Sequence, residues 1–413
     1  MSDSYAPVNP VVPGAYRGHN NALAGRTAPV RLLVCANTPK HVHVYRGAVS
    51  RLRERGHEVL VLARDYQCTA ALCEHFDLPH ETYGRLDSTK GSLLRRLPGH
   101  YARILPRAVR FSPDLVLGMG SYAAHAGLVA RAPVVLLLDS EHHPLDHAVS
   151  HPFADALLTP HAFRKDLGEN HYRYRGFMEL AYLHPAQFER DPSVRAALGV
   201  GDGQFSVVRF NAFGSHHDVG ESGFGPDGRA ELVDRLTEFG PVVVAAERDA
   251  DVFDRPGVHP YDLHPARMHH VLAEADLLVA DTATMVTEAA LLCTPAVRSS
   301  SFAGEDDFGN FHELADAGLA ESYADPEAAV ARAVDLAGDP NAVARWTGRL
   351  HAYLSGMTDL TGLVVDVAES GGRVERVPGL ARDPPVGAAT RESERERADD
   401  ESDRPPGQPV SER

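Results

Sequence analysis

Four near-continuous apolar runs constrain this chain more than any other feature: Arg31–Ala36 (RLLVCA), Glu58–Ala63 (EVLVLA), Pro133–Leu138 (PVVLLL) and Pro241–Ala246 (PVVVAA). A strand that is apolar along its length is buried on both faces, as in a parallel sheet covered by helices. Stretches of helical period separate the runs. His43–Arg55 reads as a helix closed by Gly56, a residue that tolerates the left-handed conformation past a helix end. Tyr66–Phe76, Ser92–Phe111 and Tyr122–Arg131 read as further helices, the second expected to break near Pro98 or Pro106. Asp114–Leu117, Ala154–Thr159 and Arg173–Arg175 read as strands. A second round begins with the strand Ser206–Phe210 and continues through helices at Gly228–Phe239 and His264–Glu274 to the apolar run Ala275–Ala280. Glu313–Ala320, Pro326–Leu336 and Ala342–Leu354 are helical by period.

A chain of 413 residues exceeds one ordinary core. The expected fold class is α/β: two doubly wound, Rossmann-like parallel-sheet domains, residues 29–185 and 186–370, facing a cleft. The changeover is expected near Ala181–Arg195, and the last helices are candidates for crossing back to the first domain. Residues 1–28 are polar and rich in Gly, Pro and Asn, and from Gly371 the apolar periodicity is lost, so both ends are expected to be disordered.

Composition narrows the function. A formal charge of −16 argues against general nucleic-acid binding, which needs a basic footprint. No run approaches the eighteen or so apolar residues of a membrane helix, and the first residues lack the apolar core of a secretory signal. The four cysteines, Cys35, Cys68, Cys73 and Cys293, show no metal or disulfide spacing, which suits a reducing cytoplasm. Lysine occurs only at 40, 90 and 165, and the excess of Asp and Glu fits a halophilic source or a high-GC genome.

In open α/β sheets ligands bind beyond the carboxyl ends of the strands, and five turns fall there. The most informative is Asp281-Thr282-Ala-Thr284, between the run ending at Ala280 and a helix that contains Glu288. Free N–H groups at a helix N-terminus favour an anion, and Glu288 is placed to meet a sugar hydroxyl beside a bound phosphate. The plainer alternative is that Thr282 only caps the helix and Glu288 is only an early-turn carboxylate. Asn37, His41 and His43 follow the first strand without a Gly-x-Gly-x-x-Gly fingerprint; His41 is the candidate acid or base, and His43 either shares that role or packs the helix. Gly120 and Ser121 form a glycine turn in which Ser121 is a candidate helix cap. Asp139, Glu141 and His142 follow PVVLLL, where polar groups cost desolvation unless paired or used. Arg209 precedes Asn211 and a Gly-Ser-His-His turn and is a candidate phosphate partner or a domain-interface ion pair. No spaced ligand set of metal-site type occurs, so no metal or other cofactor is expected.

Read in order, the Asn-x-Pro-Lys-His-Val-His turn, Arg-Gly-His-Glu-Val-Leu at 55–60, Asp-Ser-Glu-His at 139–142, Pro-Phe-Ala-Asp-Ala-Leu-Leu-Thr-Pro at 152–160, Gly-Phe-x-Glu-Leu-Ala-Tyr-Leu at 176–183 and Asp-Thr-Ala-Thr…Glu at 281–288 resemble the domain-of-unknown-function family 354, over about residues 30–365. That family is similar in fold to GT-B glycosyltransferases and to the non-hydrolysing UDP-N-acetylglucosamine 2-epimerases. The resemblance implies a nucleotide diphosphate and ribose held by Thr282, Thr284 and Glu288, with Ala283-Thr284 where the epimerases have two glycines. Glu141 falls at an epimerase glutamate, and Ser121 replaces an epimerase acidic residue. The leading expectation is a metal-independent GT-B-type glycosyltransferase that binds a nucleotide-diphosphate sugar and serves an unknown acceptor, lipid-linked or glycan, with His41 or Glu141 as base. The alternatives are a sugar-nucleotide 2-epimerase and a non-catalytic binding protein on the same frame.

Overall fold

The computed structural model describes residues 28–86, 92–210, 223–246 and 255–382. The turn from Asn211 through His216 and His217, and most of both expected disordered ends, lie outside the described residues.

The first half alternates strand and helix: β1 (Arg31–Ala36), α1 (Pro39–Glu54), β2 (Glu58–Asp65), α2 (Thr69–His75), β3 (His80–Arg85), α3 (Ser92–Phe111), β4 (Leu115–Gly118) and α4 (Ser121–Ala130). It continues through β5 (Val134–Leu137), α5 (Pro144–Ser150), β6 (Ala156–Pro160), β7 (His171–Tyr174) and the short α6 (Leu180–Leu183). The second half holds α7 (Ser193–Leu198), β8 (Ser206–Phe210), α8 (Pro226–Thr237), β9 (Val242–Ala246), β10 (Val258–Pro260), α9 (Met268–Glu274), β11 (Leu277–Ala280) and α10 (Ala283–Leu291). After β12 (Ala296–Ser299), α11 (Gly309–Asp316), β13 (Glu321–Tyr323), α12 (Pro326–Ala337) and α13 (Ala342–Leu354), the chain closes with α14 (Leu360–Glu369) and β14 (Leu380–Ala381).

Two sheets result. One has eight strands in the order β14-β7-β6-β5-β4-β1-β2-β3, the other six in the order β10-β9-β8-β11-β12-β13. All pairings are parallel except β14 with β7. Both orders reverse next to their first strand, between β1 and β4 and between β8 and β11, which creates the crevice where doubly wound folds take ligands. The apolar runs act as expected: in β1, Leu32, Val34 and Ala36 join one core while Leu33 and Cys35 join the core on the opposite face. In β11, Leu278 and Ala280 face that same first core, and Leu277 and Val279 face a third. The inner faces of both sheets therefore share one apolar core.

The C-terminal helix seals this join. α14 lies on α1, where Thr361 Oγ1 donates to the Ala181 carbonyl at 2.6 Å and Arg55 pairs with Glu369 at 2.8 Å. A Cβ on Gly47 of α1 would stand 3.0 Å from Thr361 Oγ1, so glycine sets the approach of the two helices. Two expectations are corrected. α3 runs unbroken through Pro98 and Pro106, because both prolines and Ala102, whose carbonyl Pro106 leaves unbonded, are exposed to water. The chain also stays ordered past Gly371: Val374 and Val377 are buried, and β14 adds an antiparallel edge to the first sheet.

Candidate functional site

At the switch point of the second sheet, β11 ends at Ala280, Asp281 and Thr282 form the turn, and α10 begins at Ala283. Asp281 is buried; its N–H donates to the Arg209 carbonyl at 3.3 Å, and its carboxylate lies 3.6 Å from Arg229. Arg209 Nη1 donates to the Ala245 carbonyl of β9 at 3.2 Å. Thr282 has extended backbone at the N-cap position, yet its hydroxyl caps nothing. Its Oγ1 is buried and has no hydrogen-bond partner among the described residues, at the start of a nine-residue helix whose first N–H groups have no intrahelical acceptor. Thr284 stands half-buried beside it.

Glu288, further along α10, is buried and already engaged. Its Oε1 accepts from Tyr182 Oη at 2.7 Å and from His269 Nε2 at 3.0 Å. Burial alone would raise its pKa, but His269 and the Tyr182 hydroxyl hold it below the ordinary value. His269 is edge-on to His43 at 4.6 Å, and Tyr182 lies 5.2 Å from the same ring. His43 thus sits inside the join of the halves. Burial, with His269 and Arg46 nearby, holds its pKa well below the ordinary value, and of the two places the sequence left open for it His43 takes the packed one.

At the switch point of the first sheet, the Asn37 N–H donates to His41 Nδ1 at 3.1 Å, while Asn37 accepts from Tyr83 Oη at 2.8 Å and from Arg64 Nε at 3.0 Å. With Nδ1 accepting, the ring proton belongs on Nε2. Burial, then Arg64, bring the His41 pKa down to about 3. His41 is therefore a neutral donor, and the expected role of base does not fit its bonding. The ionised group here is Asp139. Lys40, in the first turn of α1, pairs with Asp139 and lies 2.6 Å from Glu179 Oε1. Burial opposes the Lys40 charge, but the two carboxylates raise its pKa. Burial likewise works against Asp139, whose pKa Lys40 nevertheless lowers, whereas burial and Asp139 together raise that of Glu179.

Glu141 faces the second half. Its Oε1 accepts from the Arg164 N–H at 3.1 Å and from the Gly309 N–H, the first of α11, at 3.2 Å; Oε2 is buried with no partner among the described residues. Two amides on one oxygen are the bonding of a helix cap. His142 is exposed and packs against Phe308 at 4.7 Å and Phe302 at 5.8 Å. Gly120 and Ser121 lie at the start of α4, but Ser121 is the first helical residue, not the cap: its N–H donates to Asp146 Oδ1 at 3.2 Å. A Cβ on Gly120 would stand 2.3 Å from Asp146 Oδ2, so a carboxylate of the chain itself fills this turn.

A model of the protein family of unknown function DUF354 matches residues 32–308. The chain belongs to DUF354. Among solved structures, the fold matches a Listeria monocytogenes protein assigned provisionally as a UDP-N-acetylglucosamine 2-epimerase, at 14% identity and TM-score 0.60 over 85% of this chain and 98% of that one. It matches the Neisseria meningitidis UDP-N-acetylglucosamine 2-epimerase bound to UDP-N-acetylglucosamine at 11% identity and TM-score 0.55, over 82% and 97% of the two chains. The spinosyn forosaminyltransferase SpnP matches at 13% identity and TM-score 0.56, over 84% and 100%. At these identities the likeness shows a GT-B-like fold shared by epimerases and transferases. No curated protein matches the sequence.

In this DUF354 chain the structure thus brings His41 and Asp139 into one polar group and Asp281, Thr282 and Thr284 into another. His43 and Glu288 lie in the join between the halves. Lys40, Glu179, Tyr182, His269 and Asp146 escaped sequence reasoning. One signal was available for Lys40: with only three lysines among 41 basic residues, the two described ones both touch the loop after β5, since Lys165 Nζ donates to the Glu141 carbonyl at 2.7 Å.

Proposed function

We propose that this DUF354 protein binds a nucleotide-diphosphate sugar between its halves and transfers the sugar to an acceptor hydroxyl. The observation that carries the reading is the Thr282 hydroxyl, buried and without a partner among the described residues, at the N-terminus of α10 in the crevice of the second sheet. A buried donor without a partner costs about 1–3 kcal/mol, and a bound diphosphate oxygen would recover it while meeting the free helix N–H groups. The Thr284 hydroxyl would add a second contact. Glu288 Oε1 is held by Tyr182 and His269, which leaves Oε2 to accept from a ribose hydroxyl.

The first half would supply the proton chemistry. As the acceptor oxygen attacks the anomeric carbon, its proton passes to the Asp139 carboxylate, which is partly open to solvent and held ionised by Lys40. The bond from the anomeric carbon to the diphosphate breaks, and the leaving oxygen keeps the electron pair, stabilised by the α10 N–H groups. Neutral His41 would donate its Nε2 hydrogen to the sugar or acceptor rather than take a proton.

Epimerisation is the second reading, and the Asp139–Lys40–Glu179 group favours it. Two carboxylates whose pKa values move in opposite directions form the kind of acid and base pair that removes and returns a proton. Incubation with UDP-, GDP- and TDP-sugars in deuterated water separates the readings. Slow nucleoside-diphosphate release, accelerated by an acceptor and without deuterium at the sugar C2, supports transfer. Deuterium at C2 without acceptor supports epimerisation. Binding without either product overturns both in favour of a non-catalytic binding protein.

A further inference from the structure

The exposed large hydrophobic side chains among the described residues are not scattered. They are Val109, Leu128, Val129, Leu145, Val149, Phe153 and Phe239, and all but Phe239 lie on α3, α4, α5 and the single turn His151–Phe153 after α5. Leu145 is 84% exposed, which is far from the usual state of a leucine. These elements pack side by side. Tyr101 Oη of α3 bonds His125 Nδ1 of α4 at 2.6 Å, His125 Nε2 donates to the Val149 carbonyl of α5 at 2.9 Å, and the His125 ring meets Phe153 at 5.3 Å. Leu128 and Val129 stand three and four residues after His125, so they share its helix face. Leu145 and Val149 are four apart on α5 and share another. The solvent face of α3 beside them carries Pro98, Ala102, Pro106 and Val109, all exposed.

The charge of this surface is opposite to that of the chain. The protein carries a formal −16, yet residues 92–111 and 121–131 contain no Asp or Glu and six arginines. Arg95, Arg110 and Arg131 are exposed. The acidic residue of α5, Asp146, is turned inward to the Ser121 N–H. An apolar patch flanked by Arg95, Arg110 and Arg131, with Asp114 and Asp155 at its edge engaged by the Arg31 and Val134 N–H groups, fits a surface that offers both anionic groups and apolar depth.

We propose that the face formed by α3, α4 and α5 docks on an anionic lipid bilayer, with Leu145, Val149, Phe153, Leu128 and Val129 entering the acyl boundary and Arg95, Arg110 and Arg131 meeting lipid phosphates. No helix among the described residues is long and apolar enough to cross a membrane, so the attachment is peripheral. α4 and α5 begin at the Gly120 turn and the Asp139–His143 loop, so the docked face adjoins the mouth of the first sheet. The inference does not depend on which reaction the cleft performs.

The test is co-sedimentation of the full chain with vesicles of phosphatidylglycerol and phosphatidylcholine, against vesicles of phosphatidylcholine alone. Binding is expected only with the anionic vesicles. It should fall about tenfold in the double variant Leu145→Asp, Val149→Asp and by a similar factor in Arg95→Glu, Arg110→Glu, and weaken with salt. Both pairs are exposed, and an unchanged melting temperature verifies the fold. Absence of vesicle binding overturns the proposal, as does binding that neither variant weakens. A dimer in sedimentation velocity that Leu145→Asp dissociates, without vesicle binding, would replace the lipid by a second copy of the chain.

Discussion

Glu141 Oε1 accepts the Gly309 N–H at 3.2 Å, so a carboxylate from the loop after β5 caps a helix of the other half. The same oxygen accepts from Arg164. Glu141→Ala removes the acceptor of two N–H groups and is expected to destabilise the protein by about 2–4 kcal/mol in urea denaturation. Glu141→Gln retains an acceptor oxygen and should lose less than half of that. Equal losses would mean that the charge, not the acceptor, is what matters.

Gly309 itself is sterically fixed. A Cβ there would lie 1.9 Å from the Ala162 carbonyl oxygen and 3.0 Å from Glu141 Oε1. Gly309→Ala is expected to force the halves apart at this point and to cost about 1–3 kcal/mol. Small-angle scattering of the variant should show a larger radius of gyration than that of the native chain.

Lys40 is the cation for two carboxylates, the half-buried Asp139 and the buried Glu179. Lys40→Met leaves both without a counter-charge and is expected to cost about 3–5 kcal/mol at neutral pH. The loss should shrink in mildly acidic buffer, where the carboxylates take up protons. Urea midpoints at two pH values measure the difference.

Histidines that folding holds neutral are expected to limit stability in acid. Burial brings His41 down to about 3 and His171, with Arg173 beside it, down to about 4. Below an unfolded-state pKa of about 6.5 the unfolded chain binds protons that these rings refuse, so stability falls as pH falls. Each contributes a slope of about 1.4 kcal/mol per pH unit, from about pH 6.5 to about 4 for His171 and to about 3 for His41. His41→Gln should remove one such slope from the pH dependence of the urea midpoint.

The two-sheet architecture was legible because its central strands are apolar on both faces, and period and turn residues then marked the helices. The polar edge strand β3, HETYGR, lacks that signal, as does the two-residue β14, whose place depends on a partner more than 200 residues earlier. Strand and helix punctuation was enough to place Thr282 at the turn after β11 and Glu288 in the helix that follows. The partners of Glu288 were not legible: Tyr182 lies 106 residues away and His269 lies 19 away on a different helix. The roles of His41 and Glu141 depend on which atom each bonds, and local sequence carries no trace of the Gly309 amide 168 residues later.

Isothermal titration of UDP, GDP and TDP into the native chain and into Thr282→Val measures whether the N-terminus of α10 holds a diphosphate. At least one nucleoside diphosphate is expected to bind, with Thr282→Val weakening it about tenfold or more by deleting a hydrogen bond to a charged oxygen and Ser121→Ala leaving it unchanged. Absence of binding by all three, or equal affinity in the native chain and Thr282→Val, would contradict a diphosphate site at the N-terminus of α10.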